Sequence, residues 1–179
     1  MIYVLLGEGF EEVEAITPVD VLRRCGAAVR TAGIGGLEIK GAHGITVRAD
    51  CTVEEIDRAA LEMIVIPGGL GGVASINGSE TALRVIKNAW TDGKYVAAIC
   101  AGPTVLAGLG VSDGRRATSY PGTGSQMGAA DYCEDDVVTD GKLITSRGPG
   151  TAMAFALKLA ETVCGEKTAN ETASGMLVK

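Results

Sequence analysis

The chain has a single histidine, His43, and its five cysteines never form a C-x-x-C pair. Without clustered thiols or imidazoles it lacks the ligand sets that hold structural zinc or iron, so no metal is expected. The cysteines, Cys25, Cys51, Cys100, Cys133 and Cys164, are odd in number and widely spaced. That argues against a disulfide framework and for a reducing, cytoplasmic setting. Basic clusters are missing too: Lys and Arg total 16 against 22 acidic residues, and the longest basic runs are Arg23-Arg24 and Arg115-Arg116. A net charge of −6 then argues against nucleic acid and anionic membranes as partners. No apolar run approaches a transmembrane length. Met1 to Leu6 has no basic flank and is cut at Gly7-Glu8, so it reads as a first buried strand and not as a signal peptide. There is no internal repeat, no low-complexity segment and no disordered tail.

What is present fits one domain spanning residues 1–179, long enough to bury a sizeable core. Short continuous apolar runs at Ile2–Leu6, Ala28–Ala32, Met63–Ile66 and Tyr95–Ile99 have the character of strands covered on both faces. Helical patterns alternate with them. Val13–Arg24 has Val13, Ile16 and Val19 or Asp20 along one side, with Pro18 inside, where a kink or a lost hydrogen bond is expected. Thr52-Val53-Glu54-Glu55 reads as a capping box opening a helix to about Leu61, and Ser79 caps a helix to about Trp90. A further helix runs near Ala101 to Leu109. Thr151 caps the last one, whose Met153, Ala156, Leu157, Ala160, Val163 and Cys164 recur at helical spacing and mark Cys164 as core. Leu37–Ile39 with Ile45–Val47 suggests a small β excursion, Arg116–Tyr120 a further strand, and Val137–Ile144 a hairpin around Asp140-Gly141. The tail from Glu166 is polar and gives no pattern. Alternating strands and helices define an α/β sandwich, doubly wound on a mostly parallel sheet.

Ligands in such sheets bind at the C-terminal ends of the strands, and three exit loops are unusual. The first, Gly7-Glu8-Gly9-Phe10-Glu11-Glu12, has two glycines of a dinucleotide fingerprint but lacks the third and is acidic, which argues against a pyrophosphate. The second, Pro67-Gly68-Gly69-Leu70-Gly71-Gly72, is either turn chemistry or a place where backbone N–H groups approach a ligand. In the third, the run to Ile99 stops at Cys100, flanked at two residues' distance by Ala98 and Gly102. Small residues there permit a sharp strand-to-helix elbow that presents the thiol. A helix N-terminus at that point should lower the thiol pKa. His43 has no partner in the sequence and is expected to face solvent from a loop or sheet edge.

These pieces together resemble the ThiJ/PfpI superfamily, specifically its DJ-one branch. The resemblance rests on Gly9-Phe10-Glu11-Glu12-Val13-Glu14 with Pro18 to Arg24, on Val65 to Gly69, on Ala97 to Pro103 and on Thr145 to Thr151. It implies a flavodoxin-like fold, a homodimer with the first helix near the interface, and no cofactor. It also implies that Cys100 is the reactive nucleophile, that Glu14 is the carboxylic acid contacting it, and that Gly69 and Ala101 supply oxyanion-type N–H donors. The activities it implies are those of a glyoxalase or protein deglycase acting on a small aldehyde or a glycated adduct. The alternative role is a cysteine-based oxidative-stress sensor or redox-regulated chaperone. A thiolate beside a protonated Glu14 is the expected neutral-pH state of the pair. Peptidase relatives carry histidine directly after the cysteine, where this chain has Ala101, which disfavours peptide hydrolysis. Where the branch often has a histidine, Tyr120 stands. It is either an auxiliary site residue or a loop aromatic with its hydroxyl at a polar edge.

Overall fold

The computed structural model describes residues 1–178. Its sheet has seven strands in the order β10-β11-β7-β6-β1-β2-β5. The central strands β1 (Ile2–Leu6), β6 (Met63–Ile66) and β7 (Tyr95–Ile99) are the continuous apolar runs, and all pair in parallel. Beside β1 lie β2 (Val29–Gly33) and the two-residue β5 (Cys51–Thr52). On the other side β7 pairs in parallel with β11 (Leu143–Ser146), which forms the one antiparallel pair of this sheet with β10 (Val137–Asp140). Residues of alternate parity on one strand serve different cores, as the period of two requires. Ile2, Val4, Leu6, Val65 and Ile99 pack on one face, and Tyr3, Leu5, Ile64, Ile66 and Val96 on the other.

The first face is covered by α1 (Glu12–Arg24) and α5 (Ala152–Cys164), with α6 (Glu166–Gly175) beside them. The second is covered by α2 (Leu70–Asn77), α3 (Glu80–Thr91) and α4 (Pro103–Gly108). Together they make the three-layer, flavodoxin-like α/β/α arrangement. The small excursion is the antiparallel pair β3 (Glu38–Lys40) and β4 (Thr46–Arg48). Among the described residues, no helix is long and apolar enough to cross a membrane.

Several local expectations need correction. The box at Thr52 opens only a 3-10 turn, Val53–Glu55, because Ile56 is extended and the Asp57 carboxylate accepts N–H bonds from Ala59 (2.9 Å) and Ala60 (3.3 Å). That local turn competes with helix and wins. The Arg116–Tyr120 strand shrinks to β8 (Arg116–Ala117), paired with β9 (Asp131–Tyr132). In the β10–β11 hairpin Asp140 pairs with Leu143, so the loop residues are Gly141, at φ +61°, and Lys142. The Thr151 side chain does not cap α5 but bonds Ser146 Oγ (2.7 Å) and Gly148. The buried stripe of α5 includes Phe155 and Leu159, whereas Cys164 is only half-buried. Along α1, Val13, Ile16 and Asp20 face outward, while Val19 packs inward with Glu14, Ala15, Pro18, Val21 and Leu22. Pro18 stays within the helix, removing the N–H that would otherwise bond the Glu14 carbonyl. The polar tail forms α6, seated through Ala169.

Candidate active site

Three strand exits meet at one end of the sheet. After β7 the chain turns at Cys100, which has φ +64°, one of two non-glycine residues with positive φ among those described. Such a conformation costs about 1–3 kcal/mol and persists only where the surroundings enforce it. Here they do: the Cys100 N–H donates to the Ser146 carbonyl (3.0 Å), and its own carbonyl accepts from the Tyr120 N–H (2.8 Å). Gly102 has no room for a side chain, since a Cβ there would stand 2.6 Å from the Ile66 carbonyl oxygen. The helix that follows, α4, begins at Pro103, later than Ala101.

From β6 comes the glycine segment, and its two halves do different work. Gly68 lies against the reacting groups: a Cβ on it would meet Glu14 Oε2 at 2.6 Å and Cys100 Cβ at 2.7 Å. Gly69, at φ +83°, turns its neighbour into α2, so Leu70, Gly71 and Gly72 are helical and not loop. Glu14 arrives from the first turn of α1 and is fully buried. Its Oε2 accepts the Gly68 N–H (2.8 Å), while its buried Oε1 has no hydrogen-bond partner among the described residues, and burial beside Cys100 couples the two groups. The site residues expected as Cys100, Glu14, Gly69 and Ala101 are therefore in one place, with the Ala101 and Gly69 N–H groups near enough to the Cys100 sulfur to favour its anion.

The electrostatics correct one expectation. Burial, then the charge and hydrogen bond of Glu14, push the Cys100 thiol up to about 12, and the two N–H groups only partly oppose this. Burial likewise raises Glu14 to about 7 against the lowering effect of its bonds to Cys100 and Gly68. At the sulfur, desolvation opposes the helix N-terminus and the two N–H groups, so the proton affinity of the pair rises. Cys100 and Glu14 titrate as a unit that gives up its first proton near pH 7. A thiolate arises when the thiol proton passes to Glu14.

Cys100 and Ala101 open on a cavity of about 500 Å³, also lined by Gly9, Glu11, Ala42, His43, Leu70, Tyr120, Thr123 and Pro149. Tyr120 is on its rim, half-exposed, with its ring against Gly148. His43, expected only to face solvent, is exposed but does have a partner. Its Nδ1 lies 2.9 Å from Glu12 Oε2, and Glu12 Oε1 also accepts the His43 N–H (2.8 Å). The bond to Glu12 raises the His43 pKa, and the same bonds outweigh burial and lower that of Glu12. A Cβ on Gly41 would overlap the Glu12 carboxylate, so the β3–β4 loop is fitted around it. Glu11, Glu12 and His43 bring potential ligand atoms within 4.8 Å of one another, though His43 and Glu12 already satisfy each other. Sequence reasoning missed this pair, because nothing in linear order joins the end of the first acidic loop to the tip of a hairpin 31 residues later.

An α/β/α sandwich that holds a cysteine in a left-handed strand-to-helix turn, with a buried glutamate at its sulfur, defines a narrow class of proteins. The chain belongs to the DJ-1/PfpI family, whose model matches residues 1–162. It is similar to protein dj-1beta of Drosophila melanogaster, with 42% identity over 178 residues, 98% of this chain and 95% of the relative. The crystal structure of that fly protein matches with a TM-score of 0.96 at 41% identity, covering 99% of this chain and 97% of that one. A deglycase of Pyrococcus abyssi is 36% identical over 156 residues, 86% of this chain and 93% of its own. Oxidized DJ-1 of Toxoplasma gondii matches with a TM-score of 0.94 at 33% identity, covering 98% and 97%.

Proposed function

We propose that this chain is a cofactor-independent glyoxalase or protein deglycase-like enzyme that consumes methylglyoxal or related dicarbonyls through Cys100. The observation that carries the reading is the setting of the Cys100 sulfur, at a cavity wall with the Gly69 and Ala101 N–H groups and the buried Glu14 carboxyl around it. The similarity to an archaeal deglycase supports it. In this mechanism Glu14 takes the thiol proton as sulfur attacks the aldehyde carbon, and the oxygen that becomes anionic is held by the two N–H groups. Glu14 returns that proton to the oxyanion and, ionised again, takes the proton from the carbon that bears sulfur and delivers it to the neighbouring carbonyl carbon, while the hydroxyl proton passes to the neighbouring oxygen; the product is a thioester of a 2-hydroxy acid. Water cleaves the thioester, releasing the acid and restoring the thiol. Ala101 in place of a histidine supports carbonyl chemistry over peptide hydrolysis. Tyr120 at the rim serves as an auxiliary hydrogen-bonding residue for the substrate. The assembly is a homodimer, a reading supported by the half-exposed Val13 and Ile16 on α1.

The test is methylglyoxal consumption by the purified protein without added thiol or metal. Cys100→Ser abolishes it, and Glu14→Gln lowers it by about 10²–10⁴-fold, the usual contribution of a positioned acid–base group. Unchanged turnover in Cys100→Ser overturns the assignment. The second reading, an oxidation sensor, is favoured by the unpartnered Glu14 Oε1, which could bond an oxygen added to the adjacent sulfur. Mild peroxide then places two oxygens on Cys100 before Cys51 or Cys133, as read by mass spectrometry. Indiscriminate oxidation counts against it.

A further inference from the structure

Away from the cavity, α1 and α5 end side by side, each on a cysteine. Cys25 caps α1 and Cys164 is the last residue of α5, and both are half-buried. The Cys25 thiol donates to Thr172 Oγ1 of α6 at 3.1 Å. The Cys164 thiol is within hydrogen-bonding reach of Cys25. Two cysteines and a hydroxyl thus lie where three helices converge, beside an open cleft bordered by Arg24, Thr172 and Met176. We propose that Cys25 and Cys164 are a second redox site, a dithiol that closes to an intramolecular disulfide under hydroperoxide.

Disulfide closure requires the two Cα atoms to approach within about 4.4–6.8 Å, with the side chains facing. Neighbouring helix ends place the two cysteines for that approach, and the backbone can supply the remainder. Each cysteine is followed by a glycine in the left-handed region, Gly26 at φ +79° and Gly165 at φ +86°, and neither has any atom within 4 Å of its Cβ direction. The other cysteines lack such a neighbour: Cys51 and Cys133 turn their sulfurs to the Thr31 and Ala117 carbonyls. The Cys25 thiol lies against Thr172, which borders the cleft, and this suits Cys25 to the first step. In the first step the Cys25 sulfur attacks the hydroperoxide, the O–O bond breaks, and sulfenic acid forms with release of water or an alcohol. The Cys164 sulfur then attacks the sulfenic sulfur. The S–S bond forms, the S–O bond breaks, and the departing hydroxide leaves as water with the Cys164 proton. A dithiol reductant reverses the change.

The test treats the full chain with hydrogen peroxide, blocks remaining thiols, and maps peptides without reduction after a non-reducing gel. The expected result is a Cys25–Cys164 peptide about 2 Da lighter than its two reduced halves, as two lost hydrogens require. It comes from the monomer band, disappears with dithiothreitol, and forms equally in Cys100→Ser. In Cys164→Ser, dimedone labels Cys25. Recovery of both thiols fully blocked after peroxide has already oxidised Cys100, or pairing found only between chains, overturns the proposal.

Discussion

Glu14→Gln should remove a pH dependence of stability that the wild-type fold carries near neutrality. The Glu14 carboxyl binds its proton at about 7 in the fold, against a reference value of 4.5, chiefly because it is buried. Between those two values the folded chain holds one more proton here than the unfolded chain, so stability falls as pH rises. At about 1.4 kcal/mol per pH decade the loss approaches 3 kcal/mol by pH 7.5. Glutamine has nearly the same shape and can still accept the Gly68 N–H, but it does not titrate. The assay is urea unfolding of both proteins from pH 4.5 to 8, with stability taken from midpoint and slope. Any constant cost of the amide beside the sulfur shifts the two curves by an offset and leaves the slope untouched. The His43 contribution, present below its unfolded pKa and lost as pH rises through its raised folded value, falls partly in the same window but cancels in the difference. The variant should therefore gain about 2–3 kcal/mol on wild type between pH 4.5 and 7.5. A pH-independent difference would show that Glu14 ionises normally in the fold, and with it the proton transfer assigned to the Cys100 pair would fail.

Gly68→Ala forces a methyl against Glu14 Oε2 and Cys100 Cβ; overpacking of this kind costs about 1–3 kcal/mol, and methylglyoxal turnover should fall further than stability because the clash is with the reacting groups. His43→Ala leaves the buried Glu12 carboxylate without its ring partner, so the melting temperature should drop at pH 5.5 and the drop should shrink by pH 8.5, once the wild-type imidazolium has lost its proton. Phe155→Ala empties a fully buried site between α5 and the sheet and should cost about 3–5 kcal/mol in urea unfolding, without changing the thiol reactivity of Cys100.

The central strands were legible because burial on both faces leaves a local mark, an unbroken apolar run such as Met63–Ile66. Cys100 was legible for a related reason. A left-handed residue between packed strands needs small neighbours, and Ala98 and Gly102 stand in the sequence whatever the tertiary structure does. Elements whose fate rests on a remote or competing contact were not. The helix expected after Thr52 gives way to a turn made by the Asp57 side chain, and the outward face of α1 carries Val13 and Ile16, apolar residues that pattern alone would bury.

Protonation was the least legible property, and the reason is general. The helix terminus can be inferred from residue types, and the N–H donors and the glutamate from the family resemblance; together they point to a thiolate beside a protonated carboxyl group. Burial has no such token: Glu14 is a carboxylate in a first turn, like Glu12, until Gly68, the β6 exit and Cys100 close over it. Desolvation then dominates both members and drives their values upward, so the pair gives up its first proton at a higher pH than a separate carboxyl group would. The consequence for chemistry is specific. A nucleophile generated by transfer to Glu14 is available only while Glu14 is ionised, so turnover should rise with pH through about 7 and follow the carboxyl group rather than a free thiol.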